Sequence, residues 1–243
     1  MKNATTHTGI IYAAGINSRL ISQIDQPFKG MCTAPSGESL ITLQAKHLIS
    51  LDVEVLVVVV GMEHKILVDH LKTTLSGLDF KVAFNGDYCT KGNMLSLWSA
   101  REWCHGEITF TTSDLYFSEQ LPSNFARDNF NQILTDTHQV KLFRDPDPVK
   151  LSIRDDFITR VNKSLPPQKV KGVAPGFYHF NASGTQRLLE DIHQEISAGR
   201  DDQSLYWSID RIAPSQKVKP VYVNSTKWID VDTPNDLVRL LNI

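Results

Sequence analysis

Apolar residues along the first half of the chain alternate between two spacings. Short runs rich in β-branched residues are typical of strands covered on both faces, and apolar residues three or four apart are typical of helices. The pattern predicts strands at 9–14, 53–60, 80–84 and 108–112, and helices at about 40–51, 66–75 and 93–104. This alternation predicts an α/β, Rossmann-like fold, with a mostly parallel central sheet and helices on both faces.

The second half has a different pattern, in which paired strands come first. Residues 149–154 and 157–163 flank an Asp155-Asp156 turn and predict a small β-hairpin. The other predicted elements are strands at 172–180, 218–224 and 228–231, a helix at 183–198, and a last helix that begins at Thr233-Pro234. No linker-like stretch separates the halves, so we expect a single domain over residues 1–243.

Composition narrows the class of protein. The 243 residues carry 25 basic and 27 acidic side chains, a net charge of −2, which argues against nucleic acid and anionic membranes as partners. Three cysteines without paired spacing argue against a disulfide framework or a thiolate zinc site. Residues 1–8 lack the apolar core of a signal peptide, and the apolar run at 53–61 is too short to span a bilayer. We therefore expect a cytoplasmic protein.

A candidate anion-binding loop follows the first predicted strand directly. Small residues there let backbone N–H groups approach an anion, and an arginine adds a fixed positive fork. The loop residues are Ala13, Ala14, Gly15, Asn17, Ser18 and Arg19. Lys29 lies ten residues beyond Arg19, in Pro27-Phe28-Lys29-Gly30. The loop matches neither a Walker A motif nor a dinucleotide fingerprint, but its chemistry suits a triphosphate.

This loop resembles the signature loop of nucleotidyltransferases of the GT-A-like fold, which make nucleotide-activated sugars and alcohols. Two departures stand out: Asn17 replaces the loop's second glycine, and Phe28 is an extra residue between Pro27 and Lys29. Asparagine tolerates left-handed backbone angles better than most residues, so the loop conformation is compatible with Asn17.

Further segments extend the resemblance over nearly the whole chain, in the expected order. Residues 84–98 are similar to a segment of the phosphocholine cytidylyltransferases and their aminoethylphosphonate-using relatives. Residues 113–117 are similar to their metal-binding aspartate segment, and residues 204–207 and 230–237 to their closing segments. The resemblance implies a nucleotide-binding half over 1–130 and an acceptor-binding half over 131–243.

The resemblance also implies an activity and a cofactor. It implies a cytidylyltransferase that moves CMP from CTP to a small phosphonate or phosphate monoester and releases pyrophosphate. Mg²⁺ would relieve the repulsion between the CTP triphosphate and the anionic acceptor, with Asp114 and Asp232 as its ligands. Asp230 would point the same way as Asp232, because side chains alternate along an extended segment. Arg19 and Lys29 would hold the triphosphate. Simpler roles stay open: a solvated loop acid for Asp114 and a helix cap for Asp232.

Remaining candidates divide between the two substrates. Asn85, Asn93 and Ser96 would read the base or hold its loop, since amides offer both a donor and an acceptor. Lys163, at the end of the hairpin, would meet substrate phosphate, unless it is only an exposed strand-end lysine. Aromatic walls for an amine-bearing acceptor would come from Phe177, Tyr178, Tyr206, Trp207 and Trp228. Acids near a primary amine would be Asp201, Asp202 and Asp210.

The sequence is also compatible with three other functions. A sugar-phosphate nucleotidyltransferase using UTP or dTTP would share the loop and the metal acids. A GT-A glycosyltransferase would want an Asp-x-Asp motif after the middle strand, where this sequence has Ser113-Asp114-Leu115. A non-catalytic nucleotide-binding module would fit the Asn17 and Phe28 departures. The sequence does not fix the oligomeric state, and a homodimer is one option.

Overall fold

The computed structural model describes residues 6–15, 20, 26–118, 120–223 and 228–242. In these ranges the strands are β1 (His7–Ala13), β2 (Val55–Val60), β3 (Lys81–Phe84), β4 (Glu107–Thr112), β5 (Leu115–Phe117), β6 (Asn131–Thr135), β7 (Val149–Arg154), β8 (Phe157–Asn162), β9 (Gly172–Ala174), β10 (Tyr178–Phe180), β11 (Val218–Tyr222) and β12 (Trp228–Asp230). The α-helices are α1 (Leu40–Ile49), α2 (His64–Thr74), α3 (Met94–Ser99), α4 (Ala182–Ser197), α5 (Leu205–Gln216) and α6 (Pro234–Leu240). No helix among these is long and apolar enough to cross a membrane.

A large mixed sheet runs through the molecule. Its strand order is β3-β2-β1-β4-β10-β6-β11-β8-β7-β9. The first four strands are parallel neighbours, and β6 and β11 are parallel to each other. Strand β10 pairs antiparallel with both β4 and β6, so β6 and β11 run in the same direction as β1. The mostly parallel central sheet is therefore confirmed, with one reversed strand at its middle.

Alternate side chains of the central strands build two cores, one on each face of the sheet. In β2, Val57 and Val59 pack into one core and Val58 and Val60 into the other, because successive strand residues point to opposite faces. Helices α3, α4 and α5 cover the first core, and α1 and α2 cover the second. Burial on both faces explains why these strands read as continuous apolar runs.

The structure departs from the predicted elements in several places. The single strand predicted at 172–180 is two short strands, β9 and β10, which pair at distant positions in the sheet and are separated by Gly176 at a φ of +125°. Strands β5 and β6 and helix α5 are absent from the prediction. Only two of the five β6 residues are aliphatic, and α5 contains a proline, so neither carries a clear periodic signal.

The predicted hairpin is present as β7 and β8, which extend the sheet beyond β11. The helix predicted at 93–104 is shorter. It ends at Ser99 and is followed by a 3₁₀ turn over Arg101–Trp103.

Candidate active site

Strand ends place the predicted chemical groups at one edge of the sheet. Strands β1, β3 and β4 run in the same direction, so the residues that follow them lie along a shared edge. Gly15, Asn85 and Asp114 each follow one of these strands. This edge carries the candidate active site.

A two-stranded antiparallel pair brings distant aspartates together. Strand β12 pairs with β5, with Asp230 opposite Leu115, and the backbone N–H of Val231 donates to the Asp114 carbonyl at 3.0 Å. As a result, Asp114, Asp230 and Asp232 have carboxylate oxygens that all lie within 4.8 Å of one another. The helix α6 is capped reciprocally by Thr233 and Asp236, so capping is not the role of Asp232.

Lys29 lies inside this acidic cluster. Its Nζ is 2.8 Å from the Asp114 carboxylate and also forms an ion pair with Asp232. Burial alone would lower the pKa of the Lys29 ammonium, but the two carboxylates outweigh burial and raise the pKa well above its ordinary value. Lys29 therefore stays positively charged and offsets part of the cluster's negative charge.

Gly30 is what allows the Lys29 turn to approach the cluster. A Cβ at position 30 would lie 2.9 Å from the Ser113 Cβ, closer than real Cβ atoms come. A side chain there would push the 3₁₀ turn Lys29–Met31 away from the end of β4.

The acidic cluster suits a divalent cation. Asp230 is exposed to solvent. The surrounding protein atoms, together with the charges of Asp114 and Asp232, nonetheless raise the pKa of its carboxyl above the ordinary value. Oxygen ligands are those that Mg²⁺ prefers, usually one or two carboxylates together with phosphate oxygens and waters. Three converging carboxylates beside a single described ammonium fit such an ion.

Two cavities meet at the cluster. The smaller, of about 310 Å³, is lined by Asp114 and Lys29, and the larger, of about 560 Å³, by Asp230 and Asp232. Tyr12, Asn93 and Thr112 line both cavities. The metal-binding candidates therefore lie between two chambers.

The smaller cavity is built around the loop after β3. Asn85 is 3% exposed; its side-chain amide donates to the Ser96 hydroxyl at 3.2 Å, and its Oδ1 accepts from the Asp87 backbone N–H at 3.1 Å. Both Asn85 and Ser96 line this cavity, as do Ala13, Ala14 and Gly15. Asn85 thus shapes the loop as well as lining the cavity.

The larger cavity carries aromatic and acidic walls. Tyr178, Tyr206 and Trp228 line it, together with Asp145 and Asp147. Lys163 is also in the wall, with its Nζ 3.2 Å from the Asp147 carboxylate. The cavity therefore presents rings, carboxylates and an ammonium to an occupant.

Asp136 holds one of these rings and is absent from the sequence prediction. It is fully buried and accepts the Trp228 indole N–H at 2.8 Å, as well as the backbone N–H of His138 at 2.8 Å. Asp136 follows β6 directly, so the missed strand concealed it. A polar residue just beyond a parallel strand was the available signal.

Two of the predicted acceptor-wall residues lie outside the larger cavity. Phe177 is fully buried and packs against Phe117 and Phe125, because it points away from the cavity while its neighbour Tyr178 points toward it. Trp207 does not line the larger cavity and is 38% exposed on α5, beside Tyr206.

The predicted amine-binding acids are engaged elsewhere. Asp201 pairs with Lys91, and Asp210 binds Arg160 through both carboxylate oxygens at 2.9 Å. Asp202 is exposed and does not line the larger cavity. The acids in that cavity wall come from residues 145–147 instead.

Three predicted phosphate-loop residues, Asn17, Ser18 and Arg19, lie outside the described residues. The described residues on either side of them include Gly15, which lines the smaller cavity.

No family model matches this sequence, and no curated protein matches it at a significant level. Solved structures do match. The CTP:phosphocholine cytidylyltransferase of Streptococcus pneumoniae is 19% identical with a TM-score of 0.75, covering 98% of both chains. The inositol-1-phosphate CTP transferase of T. maritima is also 19% identical, with a TM-score of 0.76, covering 98% of this chain and 96% of that one.

A nucleoside-diphosphate-sugar pyrophosphorylase from Vibrio cholerae is 16% identical with a TM-score of 0.74, covering 96% of this chain and all of the other. These likenesses confirm the fold that the sequence resemblance implied: the chain has the fold of the GT-A-like nucleotidyltransferases.

Proposed function

We propose that this protein is a magnesium-dependent nucleotidyltransferase that transfers CMP from CTP to a small phosphonate or phosphate monoester. The observation that carries the proposal is the position of Asp114, Asp230 and Asp232 between two cavities. Transfer between two bound anions needs both reactants held beside a centre that neutralises their charge, and two adjacent cavities with the aspartates between them would allow this.

The reaction is an in-line displacement. An oxygen of the acceptor phosphate or phosphonate attacks the α-phosphorus of CTP, the bond from that phosphorus to the β-phosphate oxygen breaks, and pyrophosphate leaves. The acceptor is already an anion, so no general base is needed, and catalysis is positioning with electrostatic stabilisation. The three aspartates would hold Mg²⁺, which neutralises phosphate charge when bound.

Basic residues supply the remaining positive charge in this proposal. Lys29, held at the cluster, and Arg19, in the predicted loop, contact the triphosphate. Lys163, in the wall of the larger cavity, meets the anionic head of the acceptor.

Cytidine is the proposed base, and the smaller cavity is its site. Support comes from residues 84–98, which are similar to the corresponding segment of cytidylyltransferases, and from Asn85 and Ser96 in that cavity. Asn85 sets the loop conformation through its two side-chain hydrogen bonds, so its contribution to base binding includes the shape of the site.

A zwitterionic amine is the proposed acceptor. Rings of Tyr178, Tyr206 and Trp228 suit a cationic tail, and the carboxylates of Asp145 and Asp147 suit a primary ammonium. A primary ammonium can donate hydrogen bonds to these carboxylates, and a quaternary ammonium cannot. We therefore favour aminoethylphosphonate or a related phosphonate over phosphocholine.

The second candidate is a sugar-phosphate nucleotidyltransferase that uses UTP or dTTP. It is favoured by one observation: the sugar-nucleotide pyrophosphorylase matches this chain with nearly the same TM-score as the phosphocholine cytidylyltransferase, 0.74 against 0.75. The fold therefore supports both candidates about equally, and the walls of the cavities must discriminate between them.

Pyrophosphate release with each of the four NTPs and dTTP tests the proposal, against aminoethylphosphonate, phosphocholine, other phosphonates and glucose 1-phosphate. We expect CTP to be preferred, the activity to vanish on chelation with EDTA and return with Mg²⁺, and the zwitterions to exceed the sugar phosphate at least tenfold in kcat/KM. Tenfold corresponds to about 1.4 kcal/mol.

The possible results separate the candidates. A preference for glucose 1-phosphate with UTP or dTTP would transfer the assignment to the second candidate. Nucleotide binding without pyrophosphate release from any pair would indicate a non-catalytic nucleotide-binding module.

A further inference from the structure

Two segments that are distant in sequence join at the boundary between the cavities: residues 91–94, which lead into α3, and residues 201–208, which lead into α5. The Lys91 ammonium lies 2.9 Å from the Asp201 carboxylate. The Gly92 backbone N–H donates to the Asp201 carbonyl at 3.1 Å. We call this pair of segments the joint.

Close backbone approach holds the joint together. A Cβ at Gly92 would lie 1.7 Å from the Gln203 carbonyl oxygen, so no larger residue fits without displacing the 201–203 turn. Further along, the Ser208 hydroxyl lies 3.4 Å from the Met94 sulfur. The contacts run in step along both segments, so a shift in one segment moves the other.

Asn93 makes the central contact of the joint. Its Oδ1 accepts the Leu205 backbone N–H at 2.8 Å, across 112 residues of sequence. Leu205 is the first residue of α5, and Ser204, at the N-cap position, makes no side-chain capping bond. The first N–H groups of a helix need acceptors from outside it, and Asn93 supplies one from another element.

The joint lies between the two cavities, and Asn93 lines both of them. Lys91, Gly92 and Asn93 line the smaller cavity, so any occupant of that cavity rests on them. Leu205 and Tyr206, in the first turn of α5, line the larger cavity.

We propose that Asn93 is a positioning residue that couples the two cavities. Nucleotide bound in the smaller cavity restricts the motion of residues 91–94. Through its hydrogen bond to Leu205, Asn93 then restricts the first turn of α5, where Tyr206 forms part of the acceptor wall. The coupling rests on the proposed function, because it takes the nucleotide as the occupant of the smaller cavity. Such coupling is reciprocal, so bound acceptor also tightens nucleotide binding by the same factor.

Two substitutions separate this role from base recognition. Asn93→Ala removes the oxygen that accepts from Leu205, whereas Asn93→Asp keeps an acceptor oxygen, loses the amide donor and adds a negative charge. Positioning needs the acceptor alone, so Asn93→Asp should preserve the coupling. Asn129→Ala, at an exposed asparagine, is the matched control.

Amide hydrogen exchange of residues 201–209 reads the joint directly, first without ligand and then with Mg²⁺ and CTP. Without ligand we expect exchange at Leu205 to be at least tenfold faster in Asn93→Ala than in wild type, and within threefold of wild type in Asn93→Asp and Asn129→Ala. CTP should slow exchange over 201–209 in wild type and Asn93→Asp but not in Asn93→Ala.

Binding of aminoethylphosphonate, with and without a non-hydrolysable CTP analogue, gives the coupling factor. We expect the analogue to tighten acceptor binding at least threefold in wild type and to leave it unchanged in Asn93→Ala.

The results distinguish a failure of the coupling from a failure of the proposed function. If CTP slows exchange over 85–99 in wild type but leaves 201–209 unchanged, the coupling is overturned while the proposed function stands; this result needs no variant to fold. Equal coupling factors in wild type and Asn93→Ala overturn it as well. If no NTP slows exchange anywhere, the proposed function fails and takes the coupling with it.

Discussion

The two cavities are built by different means. The smaller one lies at the ends of parallel strands β1, β3 and β4, and residues that follow these strands, Gly15, Asn85 and Asp114, line it. The larger one gathers side chains from the 139–149 segment, the start of β10, the first turns of α5 and α6, and β12. The smaller cavity lies at the edge of the sheet, whereas the larger one also depends on how later segments fold over strands β1 and β4.

Under the proposed function, this difference would let one fold serve different acceptors. The solved structures that share it are named for phosphocholine, inositol 1-phosphate and nucleoside-diphosphate sugars, at nearly equal TM-scores. Under the proposed function, strand ends place backbone groups and small residues in a fixed frame for the nucleotide. Side chains on later segments can change without altering the sheet, so the acceptor side can vary.

The largest loss of activity is expected from a substitution in the aspartate cluster, because this cluster lies between the two cavities. Asp114→Asn removes one carboxylate charge from the cluster and weakens both metal binding and the hold on Lys29. We expect kcat/KM to fall at least a hundredfold for nucleotide and acceptor alike, about 2.7 kcal/mol, with the fold retained. Steady-state kinetics at saturating Mg²⁺ and a thermal melt measure the two quantities.

Asp79→Asn is the control for that substitution. Asp79 is an exposed aspartate that pairs with Lys81 and lies outside both cavities. Its variant should keep wild-type kinetics. Retention of more than about a tenth of the activity by Asp114→Asn, a loss under about 1.4 kcal/mol, would remove Asp114 from the active site.

Two neighbouring aromatic residues, Tyr206 and Trp207, test which side of α5 faces the larger cavity. Tyr206 lines the larger cavity and Trp207, the next residue, does not. We expect Tyr206→Ala to raise the acceptor KM about tenfold, which lies within the 0.5–2 kcal/mol of a cation–ring contact, and to leave the nucleotide KM within twofold. Trp207→Ala should change neither KM by more than twofold.

Equal effects of the two substitutions would contradict the placement of the cavity wall. An increase in the nucleotide KM alone would contradict the assignment of the larger cavity to the acceptor.

The smallest expected effect is on the stability of the fold at acidic pH. It involves one histidine on α1 and one in the middle of the sheet. Burial lowers the pKa of His47, on α1, to about 4, and burial with the nearby His7 lowers that of His179, on β10, to about 3. The unfolded chain binds these protons near pH 6.5 and the folded chain does not, so stability falls as pH drops below 6.5. Each histidine should lower the free energy of unfolding by about 1 kcal/mol at pH 5.5 relative to pH 7.

Urea unfolding of His47→Leu at the two pH values checks this contribution. We expect the difference in unfolding free energy between pH 7 and 5.5 to shrink by about 1 kcal/mol in this variant. The exposed His105, changed to Gln, is the control and should leave the difference unchanged. An unaltered pH dependence in His47→Leu would mean that His47 is not held neutral in the core.

Sequence reasoning succeeded where a signal is local. The buried parallel strands carry continuous β-branched runs because both faces are covered, and this made β1 and β2 and the residues just after them visible. The same logic found Asp114 and Asn85. It missed Asp136 because β6, the strand that presents it, lacks such a run.

Hydrophobic periodicity and strand ends are properties of short segments, so the sequence alone predicts strands β1 to β4, their parallel arrangement and the candidate residues that follow them. Only the tertiary structure decided which side of each later segment faces the cavities: Tyr178 rather than Phe177, Tyr206 rather than Trp207, and Asp147 rather than Asp210. It also decided the approach of Asp114 to Asp230 and Asp232 through the β5–β12 pairing. Pairing between distant segments depends on how the whole chain packs, and no short-range pattern encodes it.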